Sequence, residues 1–104
     1  MALTRDYKKT IEERIERDPD FAKALLEQAS ELFLSGEPDI ARLILRDLVN
    51  STMGFEHLAT KLGIMSKSLH RMLSTSGNPS MNNLSSIFAK LSEHLNVKIN
   101  TSVQ

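Results

Sequence analysis

The sequence predicts an all-α fold, a bundle of five to six helices built around a helix-turn-helix core. Three observations predict this fold. Apolar residues recur at three- and four-residue spacing in successive segments, which is the period of an amphipathic helix. Two segments open with an acidic residue followed by proline, at Asp18-Pro19 and Glu37-Pro38, a pair typical of a helix start. Residues 55–74 then place a glycine between two short segments with helical periodicity.

The first helix is predicted over residues 4–17, with Thr4 as its cap. Its apolar stripe is narrow, because Tyr7, Ile11 and Ile15 are spaced by four among charged residues. This pattern fits either a solvated helix docked along one edge of the bundle or an arm that binds a partner protein.

Two broader apolar helices follow the first. Residues 19–34 carry an apolar face expected to pack against other helices, and Ser35-Gly36 ends that segment. Residues 38–51 are apolar over more than half of the helical circumference. Residues 52–54 interrupt the pattern, so a new element is expected to begin at residue 55.

Residues 55–74 are predicted to form the helix-turn-helix. Two helices that cross at a steep angle need a small side chain where they approach, and Ala59 supplies it. Gly63 suits the turn because glycine adopts positive φ without steric cost. The apolar positions expected to share the core of the motif are Leu58, Leu62, Leu69 and Met72. The spacing alone also fits an ordinary helical hairpin inside a bundle, and that alternative stays open here.

The second helix of the motif is predicted over residues 67–74, with Ser66 as its cap. The polar side chains expected on its outer face are Lys67, Ser68, His70 and Arg71. The methionines expected to fill gaps around the short helices are Met65, Met72 and Met81. All four outer side chains are able to hydrogen-bond to DNA.

A loop, a last helix and a tail complete the chain. Residues 75–80 contain loop formers, and Ser80 is predicted to cap a helix over residues 81–95. The tail over residues 97–103 alternates apolar and polar side chains, as a short strand does. A lone strand needs a partner, so this tail is expected either to pair with the same strand of a second subunit or to fray.

Charge is distributed unevenly along the 104 residues, although the net charge is zero. Residues 1–50 hold 8 Lys and Arg against 11 Asp and Glu, a net charge of about −3, whereas residues 51–104 hold 5 against 2, about +3. The helix-turn-helix lies in the positive half. This asymmetry suits a chain with one end that faces phosphates and another that faces a different partner.

The composition argues against several classes of protein. Cysteine is absent, which excludes disulfides and thiolate metal sites. No apolar run approaches a membrane span and the first residues lack an apolar signal core, so a cytoplasmic protein is expected. His57, His70 and His94 are isolated, and neither a glycine-rich phosphate loop nor a nucleophile elbow is present. We therefore expect no enzymatic activity, metal or cofactor.

The order of elements resembles the Cro/phage-repressor (XRE-like) helix-turn-helix family. FEHLATKLGIMSKSLHRMLSTSGNPSMNNLSSIFAKL is similar to the core of that family, with LATKLGI as the scaffold helix and turn and GNPSMNNL as the loop into the next helix. With residues 1–54 included, the chain most resembles the HigA-like antidote (antitoxin) proteins of addiction modules. Two positions depart from the family pattern: Phe55 stands where many members carry Gln, and Ser66 lies one residue later than the usual Ser after the turn.

The resemblance implies a sequence-specific DNA-binding regulator, the antitoxin of a toxin–antitoxin module that acts as an autorepressor. It divides the chain into an N-terminal helical arm, residues 1–36, and an XRE-like domain with a C-terminal tail, residues 37–104. The residues expected at DNA are Ser66, Lys67, Ser68, His70, Arg71, Thr75, Asn78, Ser80, Asn82 and Asn83. Few cations lie in the second half, so a homodimer on operator DNA is expected. The arm would contact the toxin; the alternatives are a stand-alone phage-type regulator and a helical adaptor that binds only protein.

Overall fold

The computed structural model of the chain describes the backbone of residues 2–96 and the side chains of residues 9–96. The described residues form six helices and contain no strand, so the all-α prediction is confirmed. The helices are α1 (Ala2–Arg17), α2 (Pro19–Leu34), α3 (Pro38–Ser51), α4 (Phe55–Leu62), α5 (Ser66–Met72) and α6 (Met81–Leu95). The strand predicted over residues 97–103 lies outside the described residues.

Local sequence signals set most of the helix ends. α2, α3 and α6 have the predicted bounds. Asp18 caps α2 by accepting a hydrogen bond from the Phe21 backbone N–H at 3.3 Å, and Pro19 occupies the first turn, where its missing N–H costs nothing. The start predicted at Thr4 is wrong, because α1 already includes Ala2 and Thr4 lies within its first turns.

The long helices build most of the core. α2 packs along α3 and also reaches α6, while α1 lies against both α2 and α3. Ile15 of α1 is buried in this core and Ile11 packs against it, so the described part of the apolar stripe of α1 docks on its own subunit. The fully buried large side chains come from five of the helices and from the residue after α5; they are Leu26, Leu45, Leu48, Val49, Leu58, Leu69, Leu73, Ile87 and Leu91.

Aromatic contacts add specific geometry to the packing of α2. Phe33 meets Phe88 of α6 edge to face, with ring centroids 5.6 Å apart. The Arg14 guanidinium of α1 lies 4.3 Å from the centroid of Phe21, a cation–π contact. Helices α1 and α2 therefore belong to the same core that supports α4 and α5. None of the helices in the described part of the chain combines the length and apolar character that a membrane span requires.

Candidate nucleic-acid interface

A left-handed glycine joins the two short helices. Gly63 ends α4 with φ 71° and ψ 31°, and the Ile64 backbone N–H donates to the Ala59 carbonyl at 3.1 Å. Apart from Gly63 and its two chain neighbours, no atom of the described residues lies within 4 Å of the position that a Cβ on Gly63 would take. Glycine is therefore favoured at this turn by its φ and not by crowding, as the sequence predicts.

The inner faces of α4 and α5 form a small core. Leu58 and Leu69 are fully buried and Ala59 nearly so, which confirms their predicted place between the helices. Leu62 and Met72 are half-buried and pack against that core. Leu73, one residue beyond α5, is also fully buried and was not predicted as a core residue, although its spacing of four from Leu69 is a signal that could have found it.

The opposite face of α5 is exposed. Lys67, His70 and Arg71 are exposed, and their spacing places them on one side of the helix. Ser66 and Ser68 are half-buried. The outer side of α5 is thus not covered by other described parts of its own subunit, which a nucleic-acid contact requires.

The start of α5 differs from the prediction. Ser66 is the first residue of the helix and does not cap it, because Met65 occupies the N-cap position with extended backbone. No side-chain hydrogen bond caps this end among the described residues. The helix also ends at Met72, two residues before the predicted end, and Ser74 instead donates its hydroxyl to the Arg71 carbonyl at 2.8 Å.

The histidine of α5 is held by the first residue of α4. The imidazole of His70 stacks on the ring of Phe55, with centroids 3.9 Å apart and planes 9° from parallel. Phe55 is itself buried. Many members of the resembled family carry Gln at this position. Here the aromatic side chain of Phe55 instead packs against α5 and supports it.

A buried arginine, which sequence reasoning missed, holds the chain just beyond α5. Arg42 of α3 is 7% exposed. Its Nε donates to the Ser74 carbonyl at 3.2 Å and its Nη2 to the Thr75 carbonyl at 3.4 Å, while Nη2 also meets Asp39 Oδ1 at 2.5 Å. The spacing of Asp39 and Arg42 was visible in the sequence, but carbonyl acceptors more than thirty residues away carry no sequence signal.

The loop after α5 also packs against the end of that helix through a glycine. A Cβ on Gly77 would overlap the carbonyl oxygens of Arg71 and Met72. The Gly77 backbone N–H donates to the Ser74 carbonyl at 3.0 Å. Glycine is required at this position by the close approach of two backbone segments.

The start of α6 lies beside the turn between α4 and α5. Ser80 caps α6 as predicted, accepting from the Asn83 backbone N–H at 3.1 Å. Asn83 is half-buried and shares a small cavity with Ile64, Leu62 and Met72, whereas Asn82 is exposed. Among the other predicted contact residues, Thr75, Asn78 and Ser80 are exposed.

Two of the methionines depart from the expectation that they fill gaps. Met65 is 70% exposed and Met81 is 77% exposed, while Met72 is half-buried. Met65 precedes α5 and Met81 is the first residue of α6. An exposed apolar side chain therefore lies at the N-terminal end of both helices, next to the polar residues predicted to meet DNA.

Along the sequence, the charges that flank α5 are of one sign. From residue 57 to residue 92 the sequence contains no acidic residue. The cations Lys61, Lys67 and Arg71 in this stretch are exposed. Among the residues that the structure describes, no group of three or more His, Asp or Glu side chains could hold a metal ion.

Comparison of the chain with protein-family models, with curated proteins and with solved structures finds no match in any of the three. The resemblance to XRE-like antitoxins accordingly rests on the residues quoted for it. The geometry of α4, Gly63 and α5, together with the exposed cations, is the basis for assigning a function.

Proposed function

We propose that this chain is a sequence-specific DNA-binding transcriptional regulator that places α5 in the major groove. The observation that carries the proposal is the exposed row of Lys67, His70 and Arg71 on a helix whose other side, at Leu69, is fully buried. A short helix anchored on one side and polar on the other is the element that helix-turn-helix proteins present to base edges.

The exposed side chains of α5 and of the start of α6 are suited to different contacts with DNA. Arg71 is the strongest candidate for base reading, because a guanidinium can donate two hydrogen bonds to the guanine edge. Lys67, at the start of α5, suits either a base edge or a phosphate. Ser80 and Asn82 place short polar groups at the start of α6, where a phosphate is favoured by the helix dipole.

Electrostatics favours a dimer on DNA. Among the described residues of this half, the exposed cations in one subunit are Lys61, Lys67 and Arg71, while Lys90 is partly exposed and its Nζ lies 3.5 Å from Glu93 Oε2. Neutralising about six phosphates with two subunits gives a slope of log K against log salt of about −5, against about −3 for one subunit. Two copies related by a two-fold axis would also read half-sites about one helical turn apart.

The binding test uses the DNA immediately upstream of the coding sequence as the probe, because autorepression is the expected mode of control. Fluorescence anisotropy should show Arg71→Ala binding this DNA about tenfold to hundredfold more weakly than the parent chain. Arg17→Ala, which removes the same charge from an exposed site in the acidic half, is the matched control and should bind as the parent does.

Equal affinity of the Arg71→Ala and Arg17→Ala variants would refute the assigned role of α5. Binding that does not change between low and high salt, or no binding at low salt, would favour the helical adaptor that binds only protein. Sedimentation of the complex should give two subunits per operator, and one subunit would refute the dimer.

A second candidate adds a toxin as partner and makes the chain an antitoxin. It is favoured by the net negative charge of about −3 on residues 1–50 and by Leu34 at the end of α2, which is 72% exposed. A net acidic half with an exposed apolar residue suits a basic protein, with the charges steering the encounter. The test is co-purification with the product of the neighbouring gene, which should fail for Leu34→Asp and persist for Arg71→Ala. Lack of any co-purified neighbour would leave the stand-alone regulator.

A further inference from the structure

An apolar patch lies on the outer face of α3. Ile40 is 49% exposed and Leu43 is 46% exposed, and their spacing of three places them side by side on the helix. Ile44 continues the patch towards the core, since it is half-buried and packs against the buried residues. The other exposed large apolar side chains in the described structure lie at helix ends; they are Leu34, Met65 and Met81. The patch on α3 thus consists of neighbours on one helix, as a surface that docks another helix does.

One flank of this patch carries charges of both signs. Asp39 and Arg46 are seven residues apart, nearly two helical turns, so they lie on the same side of α3. The Asp39 side chain is 84% exposed and pairs through Oδ1 with Arg42 Nη2, which leaves Oδ2 able to accept from a second donor. Arg46 is half-buried and forms no ion pair with another described residue. Along this flank α3 is therefore acidic near its start and basic two turns later.

This order of charges is complementary to itself when the helix is reversed. In a two-fold dimer the same surface meets itself, so residue i lies opposite residue j and j opposite i. With the axis at Leu43 the two copies of α3 are antiparallel, and Arg46 lies about 4.5 Å from the axis along the helix. The partner's Asp39 lies about 6 Å from the axis in the same direction. A two-fold axis keeps each flank on its own side, so this pair forms twice, while Asp47 lies on the other flank beside Ile11 of α1.

A second copy fits this flank better than a partner of one charge sign. A basic partner would match Asp39 but meet like charge at Arg46, and an acidic partner would do the reverse. The reversed copy of α3 supplies the opposite sign at both positions. It also places its own apolar patch against Ile40 and Leu43, and its helix dipole is antiparallel.

We propose that two copies of this chain associate through α3, antiparallel about a two-fold axis at Leu43, with Arg46 paired with the partner's Asp39. This inference deepens the proposed function, on which it rests for its role, because it names the contact that would join two subunits on an operator. Two exposed apolar side chains per subunit form a small interface. Such an interface belongs to the weak class below about 1,200 Å², so we expect a dissociation constant of about 10–100 μM for the free dimer.

The test is sedimentation velocity without DNA, from low to high micromolar protein. The parent chain should pass from monomer to dimer, and Leu43→Arg should raise the dissociation constant at least about tenfold, because it places two like charges on the axis. Leu34→Arg makes the same change at a more exposed leucine and is the matched control, which should dimerise as the parent does. Arg46→Glu should also weaken the dimer about tenfold, whereas Arg46→Lys and the control Arg17→Glu should preserve it.

A cross-link tests the register, because the chain contains no cysteine of its own. Packed helices lie about 8–10 Å apart, so facing residues on the axis come within reach of a disulfide. Leu43→Cys should therefore give a covalent dimer on mild oxidation. Asn50→Cys is the control: it is exposed on the same helix, but the two copies would be about 21 Å apart along the helix, so it should not cross-link.

Three results would overturn the proposal: a parent chain that stays monomeric at high micromolar concentration, a dimer that Leu43→Arg leaves intact, or equal cross-linking through residues 43 and 50. A monomeric parent in which Leu43→Arg shifts the amide signals of residues 97–103 would instead assign the patch to the tail of the same chain. Arg71→Ala should dimerise as the parent does. Failure of the dimer contact therefore leaves the DNA contact of α5 intact, and loss of DNA binding leaves the dimer contact intact.

Discussion

The two ends of α5 are held in different ways. At its start, Met65 is exposed and no side chain among the described residues caps the helix. Beyond its end, Arg42 donates to the carbonyls of Ser74 and Thr75, and Gly77 lies against the last turn. A seven-residue helix is too short to be stable alone, so its orientation must come from such tertiary contacts. Helix α5 is therefore anchored at its C-terminal end, which leaves its N-terminal end accessible to a ligand.

The largest expected loss of stability comes from adding a side chain at Gly77, where the loop contacts the C-terminal end of α5. Gly77→Ala should lower the free energy of unfolding by about 3 kcal/mol, because the new Cβ overlaps backbone carbonyls that cannot move aside as a side chain does. Urea denaturation measures this change. Gly36→Ala is the control: it also replaces a loop glycine, but its Cβ meets nothing within 4 Å in the described structure, so only the strain of φ +87° remains. A smaller loss for Gly77→Ala than for Gly36→Ala would contradict the proposed close contact.

Replacement of the buried Arg42 should cause the next largest loss of stability. Arg42→Met removes the charge-assisted hydrogen bonds to the Ser74 and Thr75 carbonyls and to Asp39, which should cost about 2–3 kcal/mol of unfolding free energy. Hydrogen exchange should quicken at the Ser74 and Gly77 amides. Arg46→Met makes the same change one turn later on α3, at a half-buried residue, and is the control. Equal losses for the two variants would show that Arg42 acts through bulk packing and not through its contacts.

Substitution of Gly63, in the turn between α4 and α5, should destabilise the protein less than substitution of Gly77. Gly63→Ala places a Cβ in open space but forces an L-residue to φ +71°, which should cost about 1–2 kcal/mol. Gly63→Asn is the comparison, because asparagine tolerates the left-handed region better and should recover part of the loss. If alanine and asparagine destabilised equally, φ would not be the property that this position requires.

The smallest change in stability should come from adding a capping side chain at the N-terminal end of α5. Met65 already has the extended backbone of an N-cap, so Met65→Ser should add about 1 kcal/mol of stability. That gain corresponds to a rise in melting temperature of about 5 °C. Met81→Ser is the matched control, because Met81 is equally exposed but α6 is already capped by Ser80. A similar rise in both variants would indicate a general effect of removing exposed apolar surface.

The parts of the fold that depend on neighbouring residues could be predicted from the sequence. Helices α2, α3 and α6 have the predicted bounds because proline starts, apolar periodicity and the caps at Asp18 and Ser80 act within a few residues of chain. The turn at Gly63 could also be predicted from the sequence, since its left-handed φ is a local requirement. The cap predicted at Ser66 failed because the chain reaches helical geometry one residue earlier, leaving Met65 at the boundary.

The candidate site could be predicted only in part. The exposure of Lys67, His70 and Arg71 follows from helical period, and the structure agrees with it. The stack of His70 on Phe55 and the half-burial of Ser68 depend on how α5 lies against α4, which period alone does not specify. The roles of these residues at DNA stay predictions until binding is measured.

Local residue patterns specified the bounds of α2, α3 and α6 and the apolar side of each of these helices, because these properties arise from contacts within a few turns. Tertiary packing buries Arg42, brings Gly77 against the end of α5, and leaves the Ser51 hydroxyl without a hydrogen-bond partner among the described residues. Arg42 and its carbonyl partners are more than thirty residues apart in the chain. Such contacts form only when packing brings distant backbone groups together, and no local pattern of residue types specifies them.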